Sequence, residues 1–266
     1  DVLDLKAISA EAKALKVPFI VDNTVPSPYL LNPIEHGANI VIHSLTKYIA
    51  GNGTSLGGAV IDAGTFDWSS GKFPEFTEPS AAYHGLVYHE ALGNAAFIAK
   101  VRIEGLRDYG AALSPFNAFQ IIQGLETLPI RVQKHSENGL ALAQWLEKQE
   151  AVAWVNYPGL KSSKYYDLAT QYLPKGQNGL LTFGLKGGFE AAKKVADETK
   201  LFSLLANIGD TKSLIIHPAS TTHQQLSDAE QVATGVTKDL IRLSVGLEDI
   251  EDLKADLKAV FENLKV

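Results

Sequence analysis

The sequence predicts an α/β protein built of two unequal parts, on three observations. Short continuous apolar runs, "VPFIVDNT" (17–24) and "NIVIHS" (39–44), are separated by helix-period segments, the pattern of parallel strands buried on both faces. A long helical stretch follows, from Ala91 to about Gln149. Beyond it strand-like and helix-like segments intermingle again, which predicts a second, smaller α/β unit. The expected boundary places residues 1–128 in the first part and 129–266 in the second.

The elements follow in order. Leu5, Ile8, Ala12 and Leu15 recur at helical spacing, predicting a helix over 4–16. The strand at 17–24 leads into a segment with Pro26, Pro28 and Pro33, then a short helix around "NPIEHGA", then the strand at 39–44. "LGGAVID" (56–62) predicts another strand. Residues 63–90 mix Gly, Pro, Ser and aromatics without period and read as a long surface excursion, a kind of segment that is usually functional. Ser114 before Pro115 is a helix start, and the stretch after it is two helices or one kinked at Pro129. "AVAWVNYPGL", "GLLTFGLKGG", "SLIIHPAS" and "LIRLSVGLE" predict strands, with helices at 189–199, 227–234 and 248–264.

Composition narrows the function. The net charge of −6, from 30 acidic against 24 basic residues, argues against a nucleic-acid surface. No apolar run approaches the roughly 20 residues that cross a bilayer, and no N-terminal stretch has a signal-peptide pattern, so the expected setting is the cytoplasm without membrane contact. The absence of cysteine removes disulfides, thiolate metal sites and cysteine nucleophiles. His84 and His89, beside Glu90, lack the spacing of a helical zinc pair, so no metal is expected. Methionine is absent even at position 1, and the chain opens within a helix pattern; the expectation is the later part of something longer.

The chemistry concentrates in "VIHSLTKYIAGNGTSLGG" (41–58). A lysine at the end of a core strand is costly without a partner or a covalent role. If the strands at 17–22 and 39–44 are parallel, Asp22 ends one while Ser44, Thr46 and Lys47 end its neighbour, on the sheet edge where open α/β folds bind ligands. Gly51, Gly53, Gly57 and Gly58 would let the backbone approach closely. Two hydroxyls suit a phosphate, the lysine a Schiff base, and a buried carboxylate a protonated ring nitrogen: the three handles of pyridoxal phosphate. Singly, Asp22 reads as a turn, Lys47 as a solvated loop lysine, and Ser44 and Thr46 as caps. Together, on adjacent strands, they favour the cofactor.

"VDNTVPSPYLLNPIEHGANIVIHSLTKYIAGNGTSLGG" resembles the Cys/Met-metabolism family of pyridoxal-phosphate enzymes, and "ALSPFNAFQIIQGLETLPIRVQKHSENG", "WVNYPGL", "SLIIHPASTTH" and "IRLSVGLEDIEDLKADL" continue the likeness to the end of the chain. The resemblance implies the aspartate-aminotransferase-like fold type I, with an incomplete large domain around a mostly parallel sheet and a smaller C-terminal domain. By matching motifs it implies that Lys47 in "SLTKY" binds the cofactor covalently and shuttles protons. Asp22 in "VDNT" would hold the proton on the pyridine nitrogen, and Ser44 and Thr46 would bind its phosphate. Arg242 in "IRLSVGLE" would clamp the substrate carboxylate, a bidentate task lysine does poorly. Ser213 in "KSLIIHPAS" would stand near that carboxylate and Lys47.

The excursion through residues 65–116 and Lys212 in "IGDTKSL" resemble the branch that adds sulfide or a small thiol to O-acetyl-L-homoserine, giving homocysteine or a thioether and acetate in methionine and cysteine biosynthesis. The alternatives are cystathionine γ-synthase, cystathionine γ-lyase or methionine γ-lyase chemistry, and a truncated, non-catalytic piece. The resemblance further implies a homo-oligomer (a dimer of dimers, hence a homotetramer) and a preceding segment holding a phosphate loop and a ring-stacking aromatic. The chain is then expected to need that segment, as missing residues or as a separate N-terminal chain.

Overall fold

The computed structural model describes residues 1–264. The first helix, α1 (Leu5–Ala14), begins where Asp4 accepts the Ala7 N–H at 3.2 Å, and it turns Leu5 inward. Strand β1 (Ile20–Asp22) is shorter than the apolar run suggests. Before it, the Asn39 side chain takes the Phe19 N–H at 2.9 Å; after it, the chain turns at Asn23. The next strand, β2 (Ile40–Ser44), pairs in parallel with β1, Asp22 opposite Ile42, so both carboxyl ends share one edge. Strand β3 (Gly58–Asp62) pairs antiparallel with β2, placing Gly58 opposite Ser44.

The segment after β3 runs over the surface as its sequence suggests, but it is anchored by a small aromatic core of its own. Trp68, 4% exposed, stacks on Phe97 with ring centres 5.2 Å apart and meets Phe66, Phe73 and Phe76, while Tyr88 is fully buried. These rings form a small core with Ile40 of β2. They reach their common centre from short turns such as Pro74–Thr77 and Tyr88–Leu92, so the pattern has no period to detect.

Two helices then follow, α2 (Pro115–Glu126) and α3 (Leu128–Leu146), divided at Thr127 rather than joined by a kink. Ser114 accepts the Asn117 N–H at 3.1 Å and so caps α2. Pro129 falls in the first turn of α3, where its missing N–H costs little. Helix α3 serves two cores: Leu128 and Val132 pack with Tyr48, Ile49 and Ile121, whereas Leu142, Ala143 and Leu146 pack with Phe183, Ile241 and Leu243.

The second sheet draws on β4 (Val152–Asn156), β5 (Leu180–Leu185), β6 (Ser203–Leu204), β7 (Leu214–Ile216) and β8 (Leu240–Ser244), in the order β4-β5-β8-β7-β6. All pairs are antiparallel except β6 with β7. Against it pack α5 (Gly188–Glu198) and α7 (Ile250–Phe261); α6 (Asp228–Ala233) precedes β8, and α4 (Tyr166–Tyr172) turns Leu168 and Tyr172 into the core shared with α1; α4 and β6 are too short to stand out in the sequence. Strand β8 is central, so Arg242 sits between Thr182 and Ile216. Among the described residues no helix is long and apolar enough to cross a membrane.

Candidate active site

The lysine comes from a turn that breaks α-helical geometry. Residues Leu45–Ile49 form a π-type turn directly after β2, and Lys47 at its middle departs from helical angles (φ −87°, ψ −128°). Such turns recur at functional sites. Thr24, two residues beyond Asp22, fastens the two strand ends together: its hydroxyl accepts the Ser44 N–H at 2.8 Å. Asn23 is fully buried and donates to the carbonyls of Ser27 (3.2 Å) and Leu31 (2.9 Å), which shapes the loop leaving β1. Each residue of "DNT" thus has a separate geometric task.

Asp22 stands exposed at the end of β1 and not buried as expected, because among the described residues β1 has a strand partner on one side only. One of its oxygens accepts the Thr24 N–H at 3.0 Å. Beneath it, burial lowers the pKa of His43, and the negative charge of Asp22 opposes that shift. Ser44 leaves its hydroxyl out of the turn's capping, while the Thr46 hydroxyl lies between the Gly57 N–H, from which it accepts at 3.1 Å, and the Gly57 carbonyl at 3.4 Å.

Three of the glycines after Lys47, Gly51, Gly53 and Gly57, do not open space for a ligand as the sequence suggests. A Cβ on Gly51 would strike the Arg131 guanidinium, one on Gly53 would lie 2.5 Å from Asp210 Oδ2, and one on Gly57 would lie 2.7 Å from Ile121 Cδ1. The close approach they permit is to the protein itself.

From the second sheet, the loop after β6 reaches across to the lysine turn. Lys47 Nζ donates to Asn207 Oδ1. Half-buried Arg242 turns Nη2 toward the Asn207 carbonyl at 3.4 Å, and burial lowers its pKa below the usual arginine value. Arg242 also lines a cavity of about 380 Å³ with Asp22, Asn156 and Thr182. Lys47 and Arg242, 195 residues apart in sequence by their numbers (242 − 47), therefore meet at one residue.

Ser213 is placed differently from the expectation. It is fully buried; its hydroxyl donates to Glu248 at 2.8 Å and accepts the Gly246 N–H at 2.8 Å, so both its capacities serve the loop after β8. Lys212, beside it, is exposed.

Two residues here escape sequence reasoning. Asn207 carries no local signal, since only the fold brings it to Lys47. Arg131 does carry one: it lies on the buried stripe of α3 with Leu128, Val132 and His135, where a charge needs an explanation. It donates to the carbonyls of Tyr48 (2.7 Å), Ile49 (3.0 Å) and Gly124 (2.6 Å) and to the Thr127 hydroxyl (3.0 Å). One guanidinium thereby holds the carbonyl end of the lysine turn against the carbonyl end of α2, where positive charge is favourable.

The arrangement has close counterparts. The chain is 55% identical to the O-acetyl-L-homoserine sulfhydrylase of Leptospira meyeri over 99% of its own length and 62% of that protein. It is 49% identical to the homocysteine synthase of Schizosaccharomyces pombe, over 98% of the chain and 62% of that protein. A crystal structure from Campylobacter jejuni, described as a candidate O-acetylhomoserine (thiol)-lyase and carrying N'-pyridoxyl-lysine-5'-monophosphate, superimposes with a TM-score of 0.93 at 45% identity, covering 98% of this chain and 63% of that one. The chain thus spans about 62% of the length of such curated relatives. The fold is the type I fold of pyridoxal-phosphate-dependent transferases. With residues 1–262 matching its model, the chain belongs to the family of Cys/Met metabolism PLP-dependent enzymes.

Proposed function

We propose that the chain is the lysine-bearing part of a pyridoxal-phosphate enzyme that converts O-acetyl-L-homoserine and sulfide, or a small thiol, to homocysteine, or a thioether, and acetate. The observation that carries this reading is the meeting of Lys47 and Arg242 at Asn207, with Ser44 and Thr46 on the lysine's own turn and Asp22 at the end of the parallel neighbour strand. The donor set fits the cofactor: an amine for the aldehyde, hydroxyls for the phosphate, a carboxylate for the ring nitrogen.

Lys47 would hold the cofactor and then move protons at the substrate's α- and β-carbons, which one amine can serve because those carbons are adjacent. Ser44 and Thr46 would bind the phosphate; for Thr46 this exchanges the long 3.4 Å contact with the Gly57 carbonyl for a charged acceptor. Asp22 would keep the ring nitrogen protonated. When bound, the cofactor supplies an electron sink that stabilises negative charge beside the α-carbon. Arg242 would clamp the α-carboxylate, and Ser213 would act on that clamp through the loop it braces. In this reading residues 1–128 belong to the cofactor-binding part and 129–266 to the smaller domain.

The same reading places the enzyme in the cytoplasm as a homotetramer, working with the further length its relatives possess, either in the same polypeptide or as a separate chain. An exposed apolar face on α2, with Phe116 at 67% and Phe119 at 58% exposure, supports a further protein surface there.

The test is borohydride reduction of the protein mixed with pyridoxal phosphate, followed by peptide mass spectrometry. A phosphopyridoxyl group on Lys47, lost in Lys47→Arg, supports the reading; labelling spread over surface lysines with Lys47 unmodified overturns it. Sulfide and cysteine as competing acceptors then separate sulfhydrylase from γ-synthase chemistry.

A further inference from the structure

A cavity of about 530 Å³ opens at the other end of β2 from the lysine turn. Its wall includes Asn39, which precedes β2, whereas Lys47 follows that strand. The five residues of β2 set the two places about 17 Å apart. Two contacts hold the surroundings together: Asn39 Nδ2 donates to Thr65 Oγ1 at 3.1 Å, and Lys72 Nζ donates to the Leu15 carbonyl at 2.6 Å. Lys13, in the last turn of α1, and Lys16, just past it, both line the cavity, and among the described residues neither forms an ion pair. Lys16 has a left-handed backbone, φ +51°. Its N–H donates to the Lys13 carbonyl at 3.1 Å and the Val17 N–H to the Ala12 carbonyl at 3.0 Å, a helix ending in which glycine is the usual occupant. The strained residue is thus the one that brings an amine to the cavity wall, and such strain collects at ligand sites.

We propose that this cavity binds a small organic anion: Lys13 and Lys16 take its charged end, and Phe66 takes its apolar body. Two positive charges face one negative charge, Asp67, and that carboxylate is engaged. One of its oxygens accepts the Ser69 N–H at 2.9 Å and the Ser69 hydroxyl at 2.5 Å. The Ser70 hydroxyl, on the same wall, is buried without a hydrogen-bond partner, and rotation about one bond would turn it to an anionic oxygen. Phe66 meets Trp68 edge-on, with ring centres 4.7 Å apart, and is only half-buried, which leaves ring surface in the cavity wall. The volume falls within the roughly 300–1,000 Å³ of small-molecule sites, well beyond the needs of a bare inorganic ion. This cavity shares no lining residue with the one beside Arg242, so the anion would bind alongside substrate and not in its place.

The probe is phenyl phosphate, titrated calorimetrically into the wild-type protein and its variants. Lys16→Gly removes the amine and relieves the left-handed backbone, so it should fold at least as well as the wild type. The expected result is a dissociation constant raised about tenfold in Lys16→Gly, the worth of one hydrogen bond to a charged group, and raised further in the double variant Lys13→Ala, Lys16→Gly. Inorganic phosphate, with no body to cover Phe66, should bind the wild type about tenfold more weakly than phenyl phosphate. Ser44→Ala should bind phenyl phosphate as the wild type does. Absence of saturable binding to the wild type overturns the proposal, as does a constant within twofold of wild type in the double variant. Equal binding of the two probes also overturns it, and so does loss of binding in Ser44→Ala, which would put the probe at the lysine turn. A merely structural role for Lys16 gives a different pattern: a higher unfolding temperature in Lys16→Gly with binding unchanged.

Discussion

The Arg131 guanidinium and the Tyr48 carbonyl are hydrogen bonded at 2.7 Å, which ties the lysine turn to the longest helix among the described residues. Among the described residues no carboxylate pairs with this buried arginine; its hydrogen bonds go to carbonyl oxygens and one hydroxyl. Arg131→Met would leave the Tyr48 and Ile49 carbonyls without that donor, and the desolvation cost of orphaned acceptors predicts a loss of about 3 kcal/mol or more. Arg131→Lys, able to reach fewer of them, should fall between the two. Urea unfolding midpoints of the three proteins check the order.

Arg242→Lys keeps the charge at a half-buried position but gives up the planar fork. The expected outcome is a substrate KM raised by roughly tenfold to a hundredfold, the worth of one lost hydrogen bond between charged groups. Phosphopyridoxyl trapping on Lys47 should be unchanged. Steady-state kinetics together with the trapping yield test both halves of this statement.

Gly209→Ala should be far more damaging than an added methyl suggests. The backbone there is left-handed, costing an L-residue about 1–2 kcal/mol, and the new Cβ would meet the Tyr48 main-chain nitrogen, which has little room to move. Loss of the loop's docking should appear as faster hydrogen exchange at the Thr211 amide, which is bonded to Gly51 in the wild type. An exchange rate unchanged from the wild type would show that the loop is held elsewhere.

His135 sets an acid limit on stability. It is fully buried, its Nδ1 lies 2.6 Å from the Val245 carbonyl, and burial pushes its pKa down to about 4 from the usual 6.5. Between those two values the unfolded chain binds a proton that the folded chain does not, so stability is full above pH 6.5 and falls as the medium is acidified toward pH 4. At 1.36 kcal/mol per unit this one group accounts for about 3 kcal/mol. His135→Asn, which keeps a donor for Val245, should flatten the dependence. Unfolding free energies measured from pH 4.5 to 7.5 for both proteins test it.

Much of the fold was legible in local signals. Apolar runs marked β2, β5, β7 and β8, helix period marked α1, α5 and α7, and the Ser114 cap marked α2, because strand and helix alternation leaves a repeat in the chain. The turn with Ser44, Thr46 and Lys47, and Asp22 on the neighbouring strand, could be read because parallel pairing of short apolar strands follows from their connections. The aromatic core around Trp68 could not, since its rings converge from unrelated turns.

The sequence by itself determined which residues are candidates for the chemistry and which strand ends present them: residue type and strand ends are local properties of the chain. Tertiary structure alone decided what those residues meet. It brought Asn207 to Lys47 and Arg242, put Arg131 under the lysine turn, and committed Ser213 to Glu248 and Gly246. It also turned the glycines after Lys47 toward Arg131, Asp210 and Ile121. Each of these contacts joins residues far apart in the chain. Their partners are chosen by the packing of two sheets across α3, and that packing leaves no mark on the residues next to any one of them.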